Sequence, residues 1–456
     1  MELLALGACR QVGKSCFVLK TLEGLIMLDC GLDPSYHDDQ RYPNFGLAFS
    51  YGPLKAVFIT HCHADHVGAL PILTEKWGYD GPIYMSAPTR ELSYFVLEDC
   101  MGAWGDEGSD STRRVGSYTH REISSCLAKV DIVEPEKTIG VGNNVQVYSM
   151  IAGHVLGALM FYISVDSYRI LYTGDFTSCC TFHLSGARVD IPYPPDVILS
   201  EATYATSLKD GRLNKEVEFF QSVLDCLLDG GKVLCPVFAI GRAQELLSLL
   251  EMYWQRFRLS FPILFSTKSA HQVLQIYSKY AHHWTRMEDV MSKSPPTWWK
   301  RIQVVHPEQL LDAVQQWDTP WVALTTPGTL ARGLSLQVFR RIATDEKNLL
   351  IIPHFCMSSG MIEKGDEFHV EDDHDWEGNE SMGMIRCKTM NLHFGFHADT
   401  RDLLLFFSHW KPSCIVLVHG EGEKMDYLAR VVQEELGIPC WVPKEEQWVT
   451  WNKMTS

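Results

Sequence analysis

Three histidines and one aspartate occur within six residues, in the run His61-Cys62-His63-Ala64-Asp65-His66. His61 and His63 stand two apart at the end of an apolar strand, so their side chains leave the same face of it. Asp65 and His66 follow in the next turn and offer a second, displaced pair of ligands. Such nitrogen and oxygen donors favour Zn²⁺ or Mn²⁺, and the displaced pair suits a second ion near the first. The run therefore predicts a metal-dependent hydrolase.

A site with two ions needs more ligands than this run supplies, and polar residues at the ends of other apolar strands offer them. These residues are His154, Asp175, His419 and Asp29, each next to a glycine or a Gly-containing turn. Taken singly, each also fits an ordinary core or turn residue. The spacing alone leaves both interpretations open.

The elements that must position these residues alternate between short strands and amphipathic helices, which predicts an α/β protein. The predicted strands Gly24–Asp29 and Leu54–Thr60 lead to candidate ligands, and a helix is predicted from Val67 to Trp77. From about Lys215 onward, strand-then-helix pairs recur and indicate a second domain with a largely parallel sheet. Two polar stretches, 105–117 and 363–380, are predicted to be surface loops. The second is acidic and could instead cover a basic groove.

The composition is that of an ordinary globular protein, with 46% hydrophobic and 21% charged residues among 456. Its formal net charge of -16 argues against a surface that binds nucleic acid as a whole, because phosphate binding needs clustered Lys and Arg. No apolar run approaches the roughly 20 residues that cross a bilayer, and no signal peptide is evident, so we expect an intracellular protein without a membrane association. The 14 cysteines form no C-x-x-C pair and are expected to be reduced and buried.

Together with three further motifs, the candidate ligands resemble the metallo-β-lactamase superfamily, and within it the RNA-processing β-CASP branch. Ser200-Glu201-Ala202-Thr203-Tyr204 is similar to its acidic motif A, Phe396-His397-Ala398-Asp399 to motif B, and Val418-His419-Gly420-Glu421 to motif C. The resemblance implies a metallo-β-lactamase αββα sandwich with an inserted β-CASP α/β domain and an active site in the cleft between them. The implied domains are 1–205 and 391–456 for the metallo-β-lactamase fold and 206–390 for the insertion.

The resemblance also implies a role for each candidate residue. His61, His63 and His154 would hold one Zn²⁺, and Asp65, His66 and His419 a second one, with Asp175 bridging and Mn²⁺ as the alternative metal. Asp29 would support the ligands from behind. A hydroxide activated by the two metals would attack phosphorus. His397 would protonate the leaving oxygen, Glu201 would orient His397, and Asp65 would serve the catalytic step as a ligand.

The implied activity is zinc-dependent endonucleolytic cleavage of nascent or precursor RNA, with a 5′-exonuclease mode left open. Within the branch the chain resembles the catalytic subunits of Integrator-type complexes, and the alternative is a polyadenylation-type endonuclease. The implied partners are the RNA substrate, a catalytically inactive paralogue and a larger RNA-processing complex, and the implied location is the nucleus, with a cytoplasmic pool left open. DNA cleavage, small-ester hydrolysis and a non-catalytic scaffold are the other hypotheses.

The sequence departs from the family pattern at three points. Ala202 stands where the motif usually has Ser, the stretch 354–360 lacks the usual Gly-Tyr-Cys and Gly-Thr pattern, and the segment 363–380 is acidic instead of basic. The last two departures bear on how substrate is held, whereas the metal ligands are intact.

Overall fold

The structure, a computed structural model, describes residues 1–36, 38–103, 118–181, 183–208, 211–284, 299–330, 333–353, 367–368, 383–392 and 394–451. The chain forms two compact units: Met1–Leu208 with Phe396–Ser456, and Lys209–Gly395. The predicted loop at 105–117 and the divergent stretch 354–360 lie outside the described residues, and of the acidic segment only 367–368 are described. Over the described parts of the chain, no helix has the length and apolar character needed to cross a membrane.

The N-terminal part of the first unit contributes most of its strands. They are β1 (Glu2–Ala5), β2 (Phe17–Thr21), β3 (Gly24–Leu28), β4 (Leu54–Phe58), β5 (Ile83–Met85), β6 (Val130–Ile132), β7 (Thr138–Val141), β8 (Val145–Ile151), β9 (Leu159–Val165), β10 (Tyr168–Tyr172) and β11 (Val197–Glu201). The helices between them are α1 (Phe45–Phe49), α2 (Ala64–Val67), α3 (Ala87–Ala103) and α4 (His120–Ala128). A 3₁₀ turn lies at Asp39–Arg41 and a π turn at Ile72–Lys76.

The second unit alternates strands with helices. Its strands are β12 (Val233–Pro236), β13 (Ile263–Ser266), β14 (Ile302–Val304), β15 (Val322–Thr325), β16 (Leu349–Ile352), β17 (Glu367–Phe368), β18 (Gly383–Met384) and β19 (Lys388–Asn391). Its helices are α5 (Arg212–Leu228), α6 (Arg242–Phe257), α7 (Ala270–Lys279), α8 (Ala281–Trp284), α9 (Pro307–Gln316) and α10 (Gly333–Ile342).

The chain then returns to the first unit. The returning elements are α11 (Thr400–Trp410), β20 (Cys414–Val418), α12 (Gly422–Val431), a π turn (Val432–Leu436), β21 (Cys440–Trp441) and β22 (Gln447–Thr450). Strand β20 pairs in parallel with β11, and β22 pairs antiparallel with β1. The first unit is therefore built from two stretches of chain far apart in sequence.

Two sheets form the centre of the first unit. Among the described residues, one has the order β22-β1-β2-β3-β4-β5-β6 and the other β21-β20-β11-β10-β9-β8-β7. The sheets face each other, since the ring of Phe58 lies 5.2 Å from that of Phe161 and the ring of Phe17 lies 5.7 Å from that of Tyr172. Alternate strand residues, such as Leu25 and Met27, point to the opposite face and pack in the core beneath the helices. This confirms the expected αββα sandwich.

The main sheet of the second unit is parallel throughout its described strands, in the order β14-β13-β15-β12-β16-β19. The residues of β12, β13, β15 and β16 are all buried, as expected for parallel strands covered by helices on both faces. The predicted parallel α/β domain is confirmed.

The helix predicted from Val67 to Trp77 differs from the structure. An α-helix begins earlier, at Ala64, and the chain then passes through Pro71 into the π turn Ile72–Lys76. Pro71 carries no backbone N–H, so it cannot continue the regular i to i−4 hydrogen-bond pattern. The early helix start places Asp65 in the first turn, two residues after His63.

Candidate metal centre

The candidate site lies where the central strands of the first unit end. Asp29 directly follows β3, His61 follows β4 by three residues, and Asp175 follows β10 by three residues. Glu201 is the last residue of β11, and His419 directly follows β20. Within each sheet these strands run in parallel, with β3 beside β4 in one sheet and β11 between β10 and β20 in the other, so their carboxyl ends meet at one edge. Ligands bind at this edge in open α/β sheets.

A first group of ligand atoms comes from His61, His63, His154 and Asp175, whose donors lie within 4.8 Å of one another. His63 Nδ1 lies 3.0 Å from His61 Nε2 and 3.1 Å from His154 Nε2. The other nitrogen of His154, Nδ1, lies 3.1 Å from the carbonyl oxygen of Phe396 and donates to it. That hydrogen bond leaves the lone pair on Nε2, the nitrogen that faces the group.

The imidazoles of this first group are held neutral. Burial lowers the pKa of His61 and of His154 well below the ordinary value, and neighbouring histidines lower both further. Burial also lowers the pKa of His63, to about 4. A neutral imidazole has a free lone pair and is the form that binds a metal ion.

A second group of ligand atoms comes from Asp65, His66, Asp175 and His419. His419 Nε2 lies 2.9 Å from Asp65 Oδ2 and 3.3 Å from His66 Nε2. Burial alone would lower the pKa of His66 and of His419, but Asp175 and Asp65 raise both. Burial would raise the pKa of each aspartate, but the two histidines hold both well below the usual value. Without a cation, the carboxylates therefore favour the protonated forms of His66 and His419.

Asp175 belongs to both groups and shows that the donors fit a cation. It is 2% exposed, and its Oδ1 accepts no hydrogen bond from any part of the chain that the structure describes, although His419 Nδ1 lies 3.4 Å from it. Its Oδ2 lies 3.3 Å from His66 Nε2 and 3.7 Å from His61 Nε2. A buried carboxylate oxygen without a donor is costly unless it is paired or coordinates a metal. The shared carboxylate and the surrounding imidazoles suit divalent ions.

Asp29 lies behind the ligands and orients one of them. It is fully buried; its Oδ1 accepts from Thr60 N at 2.7 Å, and its Oδ2 accepts from Thr60 Oγ1 at 2.8 Å. Oδ2 also accepts from Tyr172 Oη at 2.5 Å and from His66 Nδ1 at 2.8 Å. Because Nδ1 of His66 is held in this way, its Nε2 faces the ligand group.

A further pair of candidate residues, His397 and Glu201, lies beside the two ligand groups. His397 Nδ1 is 2.7 Å from Glu201 Oε2 and 3.8 Å from Asp175 Oδ2. Glu201 is 1% exposed, and its Oε1 accepts from the backbone N–H of Phe176 at 2.7 Å. The carboxylate is thus fixed at both oxygens and orients the imidazole. The side chain of His397 remains 17% exposed.

The structure brings every residue of the predicted site into this one region. The predicted set is Asp29, His61, His63, Asp65, His66, His154, Asp175, Glu201, His397 and His419. The sequence interpretation missed the supporting hydroxyls of Thr60, Tyr172 and Thr203. Thr203 lies within the motif A stretch and Thr60 directly precedes His61, so proximity to the motifs could have indicated both. Nothing in the local pattern marks Tyr172, which looks like any buried strand residue.

The comparisons with known proteins agree with this geometry. The metallo-beta-lactamase superfamily matches residues 10–217, the Beta-Casp domain matches residues 243–361, and the Zn-dependent metallo-hydrolase RNA specificity domain matches residues 382–443. The chain is 34% identical to Integrator complex subunit 11 of Gallus gallus, over 99% of this chain and 74% of that protein. The chain belongs to the metallo-β-lactamase/β-CASP family. Together, the metallo-hydrolase match and the His and Asp cluster indicate divalent metal binding.

Two further proteins are similar in sequence, and one solved structure shares the fold. Cleavage and polyadenylation specificity factor subunit 3-II of Arabidopsis thaliana is 36% identical over 100% of this chain and 73% of that protein. Endoribonuclease YSH1 of Candida glabrata is 30% identical over 93% of this chain and 55% of that protein. A crystal structure of a protein of unknown function from Enterococcus faecalis has the same fold, with a TM-score of 0.57 at 12% identity, over 98% of this chain and 99% of that one.

Proposed function

We propose that this protein is a zinc-dependent RNA endonuclease and that it acts as the catalytic subunit of an Integrator-like complex. The observation that carries the proposal is the contact between His397 and Glu201 beside two ligand groups that share Asp175. A proton donor next to paired metal positions suits phosphodiester hydrolysis, in which charge builds up on phosphate oxygens and on a leaving oxygen.

The ligands divide between two proposed Zn²⁺ positions. His61, His63 and His154 would hold one ion and Asp65, His66 and His419 the other, with Asp175 between them. When bound, the ions would supply an activated water for attack on phosphorus and would offset charge on the phosphate oxygens. Mn²⁺ would accept the same donors and is the alternative metal.

The chain's own proton donor completes the proposed reaction. Glu201 Oε2 holds His397 through Nδ1, and the leaving oxygen would take its proton from the same imidazole. Asp29 and the hydroxyls around it keep the ligands in place but would not touch the substrate. In this assignment Asp65 is a ligand, and its loss would remove one ion and the catalytic step together.

The proposed complex and partners rest on the family relationship and on the net charge of the chain. Integrator complex subunit 11, 34% identical, supports an Integrator-like complex, and the 36% identity to a polyadenylation factor subunit supports 3′-end processing as the second candidate. With a net charge of -16, the chain needs partners that help to hold RNA. We therefore propose an inactive paralogue and a larger nuclear complex as partners, and we retain 1–205, 206–390 and 391–456 as domain boundaries.

Cleavage of labelled RNA and of matched DNA by the tagged protein, purified with its native partners, tests the proposed activity. His397→Ala should slow RNA cleavage by about 10²- to 10⁴-fold, the usual contribution of a positioned acid, without lowering the zinc content. His409→Ala, an exposed histidine on α11, is the matched control and should cleave normally. Unchanged cleavage by His397→Ala, or cleavage of DNA alone, would contradict the proposal.

The copurified proteins distinguish the two proposed settings. Integrator-like subunits in the purified complex would support the first candidate, and polyadenylation factors the second. Recovery of the protein without any RNA-processing partner would contradict both.

A further inference from the structure

The hydroxyl of Thr203 lies between the ligand groups and the acid pair. Its Oγ1 is 2.6 Å from Glu201 Oε2, 3.0 Å from His419 Nδ1 and 3.3 Å from His397 Nδ1. Thr203 is half-buried and sits two residues beyond the end of β11. We propose that Thr203 is a positioning residue whose hydroxyl joins the ligand His419 to the pair Glu201 and His397. This inference rests on the proposed function of the same site.

The distances give the hydrogen bonds a direction. A hydroxyl has one proton, and the shortest contact of Thr203 is to the Glu201 carboxylate, which only accepts. The oxygen of Thr203 then accepts from His419 Nδ1, for which it is the nearer acceptor, at 3.0 Å against 3.4 Å to Asp175 Oδ1. His397 Nδ1 lies closer to Glu201 Oε2, at 2.7 Å, and donates there. The result is a series of hydrogen bonds from His419 through Thr203 to Glu201. Glu201 also accepts a hydrogen bond from His397.

This series of hydrogen bonds determines which nitrogen His419 offers to a metal. With Nδ1 bound to Thr203, Nε2 is the nitrogen left to offer its lone pair when a metal binds, and it faces Asp65 Oδ2 at 2.9 Å. The site uses the same device twice more, where Asp29 holds His66 Nδ1 and the Phe396 carbonyl holds His154 Nδ1. Partners of this kind orient metal ligands and raise their affinity.

The same hydroxyl also restrains the acid pair. Glu201 Oε2 accepts from both Thr203 and His397, so loss of the Thr203 hydroxyl leaves Oε2 held only by His397, the residue that it has to orient, while Oε1 keeps its bond from Phe176. A carboxylate that can rotate no longer sets the direction of the imidazole. Thr203 therefore acts on the metal side through His419 and on the proton side through Glu201.

Two substitutions at Thr203 separate the hydroxyl from the rest of the side chain. Thr203→Val keeps the shape and removes the hydroxyl, whereas Thr203→Ser keeps the hydroxyl. Thr74→Val, at a buried threonine whose hydroxyl bonds Leu70 O, is the matched control for a lost hydroxyl elsewhere in the same unit. Each full-length protein is purified with its partners, loaded with zinc and challenged with a zinc chelator.

We expect Thr203→Val to hold one of its zinc ions about 10- to 100-fold more weakly, the usual cost of losing such a partner. Thr203→Ser should stay within about threefold of the wild type, because the hydroxyl remains. Thr74→Val should keep its zinc. Equal zinc retention in Thr203→Val and the wild type would overturn the link to His419, and equal losses in the Val and Ser variants would show that packing, not the hydroxyl, matters.

A second substrate tests the link to the acid pair. In RNA whose leaving oxygen is replaced by sulfur, the leaving group needs no proton, so the defect that acts through His397 should shrink. With saturating zinc, Thr203→Val should lower kcat about tenfold or more on ordinary RNA, with KM little changed. On the sulfur substrate the kcat of this variant should return towards that of the wild type. An equal defect on both substrates would overturn this half of the inference. Should the wild type bind zinc but cut no RNA, the proposed function would fail, and the chelator comparison would still decide the role of Thr203.

Discussion

Asp29→Asn tests whether the buried support behind the ligands governs metal binding. Asparagine tolerates the left-handed backbone at this position, where φ is 59°, so the substitution adds no backbone strain. The amide oxygen can replace only one carboxylate oxygen. If it takes the Oδ2 position, it keeps the donors Tyr172, His66 and Thr60 Oγ1, but the amide NH₂ then faces the backbone N–H of Thr60.

The cost follows from these contacts. One buried N–H loses its acceptor and the remaining hydrogen bonds lose their charge assistance, so we expect a loss of about 2 to 5 kcal/mol in the free energy of unfolding of the metal-free protein. Because His66 is no longer held by a carboxylate, zinc affinity should fall about 10- to 100-fold. Denaturant unfolding in chelator measures the first quantity, and zinc competition with a fluorescent chelator measures the second.

Asp33→Asn is the matched control for this prediction. Asp33 is also buried, at 4% exposure, and follows the same strand, but it accepts from the backbone N–H of Ser35 at 3.0 Å and contacts no ligand. The Asp33→Asn substitution should lower the stability of the fold, and its zinc affinity should fall by less than tenfold. If Asp29→Asn binds zinc as tightly as the wild type, Asp29 does not orient His66 and the reasoning is refuted.

Three further predictions concern protons, thiols and packing. The raised pKa of His66 favours the protonated imidazole in the metal-free site, so zinc binding should release a proton from His66 and should become tighter as pH rises. Calorimetry in two buffers of different ionisation enthalpy counts the released protons. Cys179 and Cys180 are exposed, whereas the other described cysteines are buried or partly buried, so iodoacetamide at pH 8 should label these two before the others, as mass spectrometry would show. Gly31→Ala would force a Cβ against the backbone carbonyl of Asp65, so zinc content and melting temperature should both fall.

Much of the site could be predicted because its ligands stand next to strong local patterns. The run His61 to His66 is self-contained, and Asp175 and His419 each follow a buried apolar strand and adjoin a glycine. Parallel strands bring their carboxyl ends together, which explains why residues at the ends of separate strands meet at one edge. The parallel second sheet followed from strand-then-helix pairs in the same way.

The supporting hydroxyls could not be predicted, for a physical reason. Tyr172 reaches Asp29 across 143 residues, and its hydroxyl is a polar atom at the tip of an otherwise apolar side chain in a buried strand. Hydrophobic periodicity places such a residue in the core but does not reveal which group its hydroxyl meets. The π turn at Ile72–Lys76 was missed similarly, because an apolar spacing typical of a helix does not distinguish an α-helix from a wider turn.

The return of the chain to the first unit has a consequence for how the protein is made. His61 to Glu201 leave the ribosome first, whereas His397 and His419 emerge only after the whole second unit. Until then the nascent first unit lacks β20, which pairs beside β11, and so lacks part of its sheet as well as the proposed ligand His419 and the proposed proton donor His397. At a synthesis rate of about 5–20 residues per second, this incomplete state lasts for roughly 10 to 40 seconds. A nuclease assembled in this order remains inactive until these residues have emerged, while it is close to the messenger RNA that encodes it.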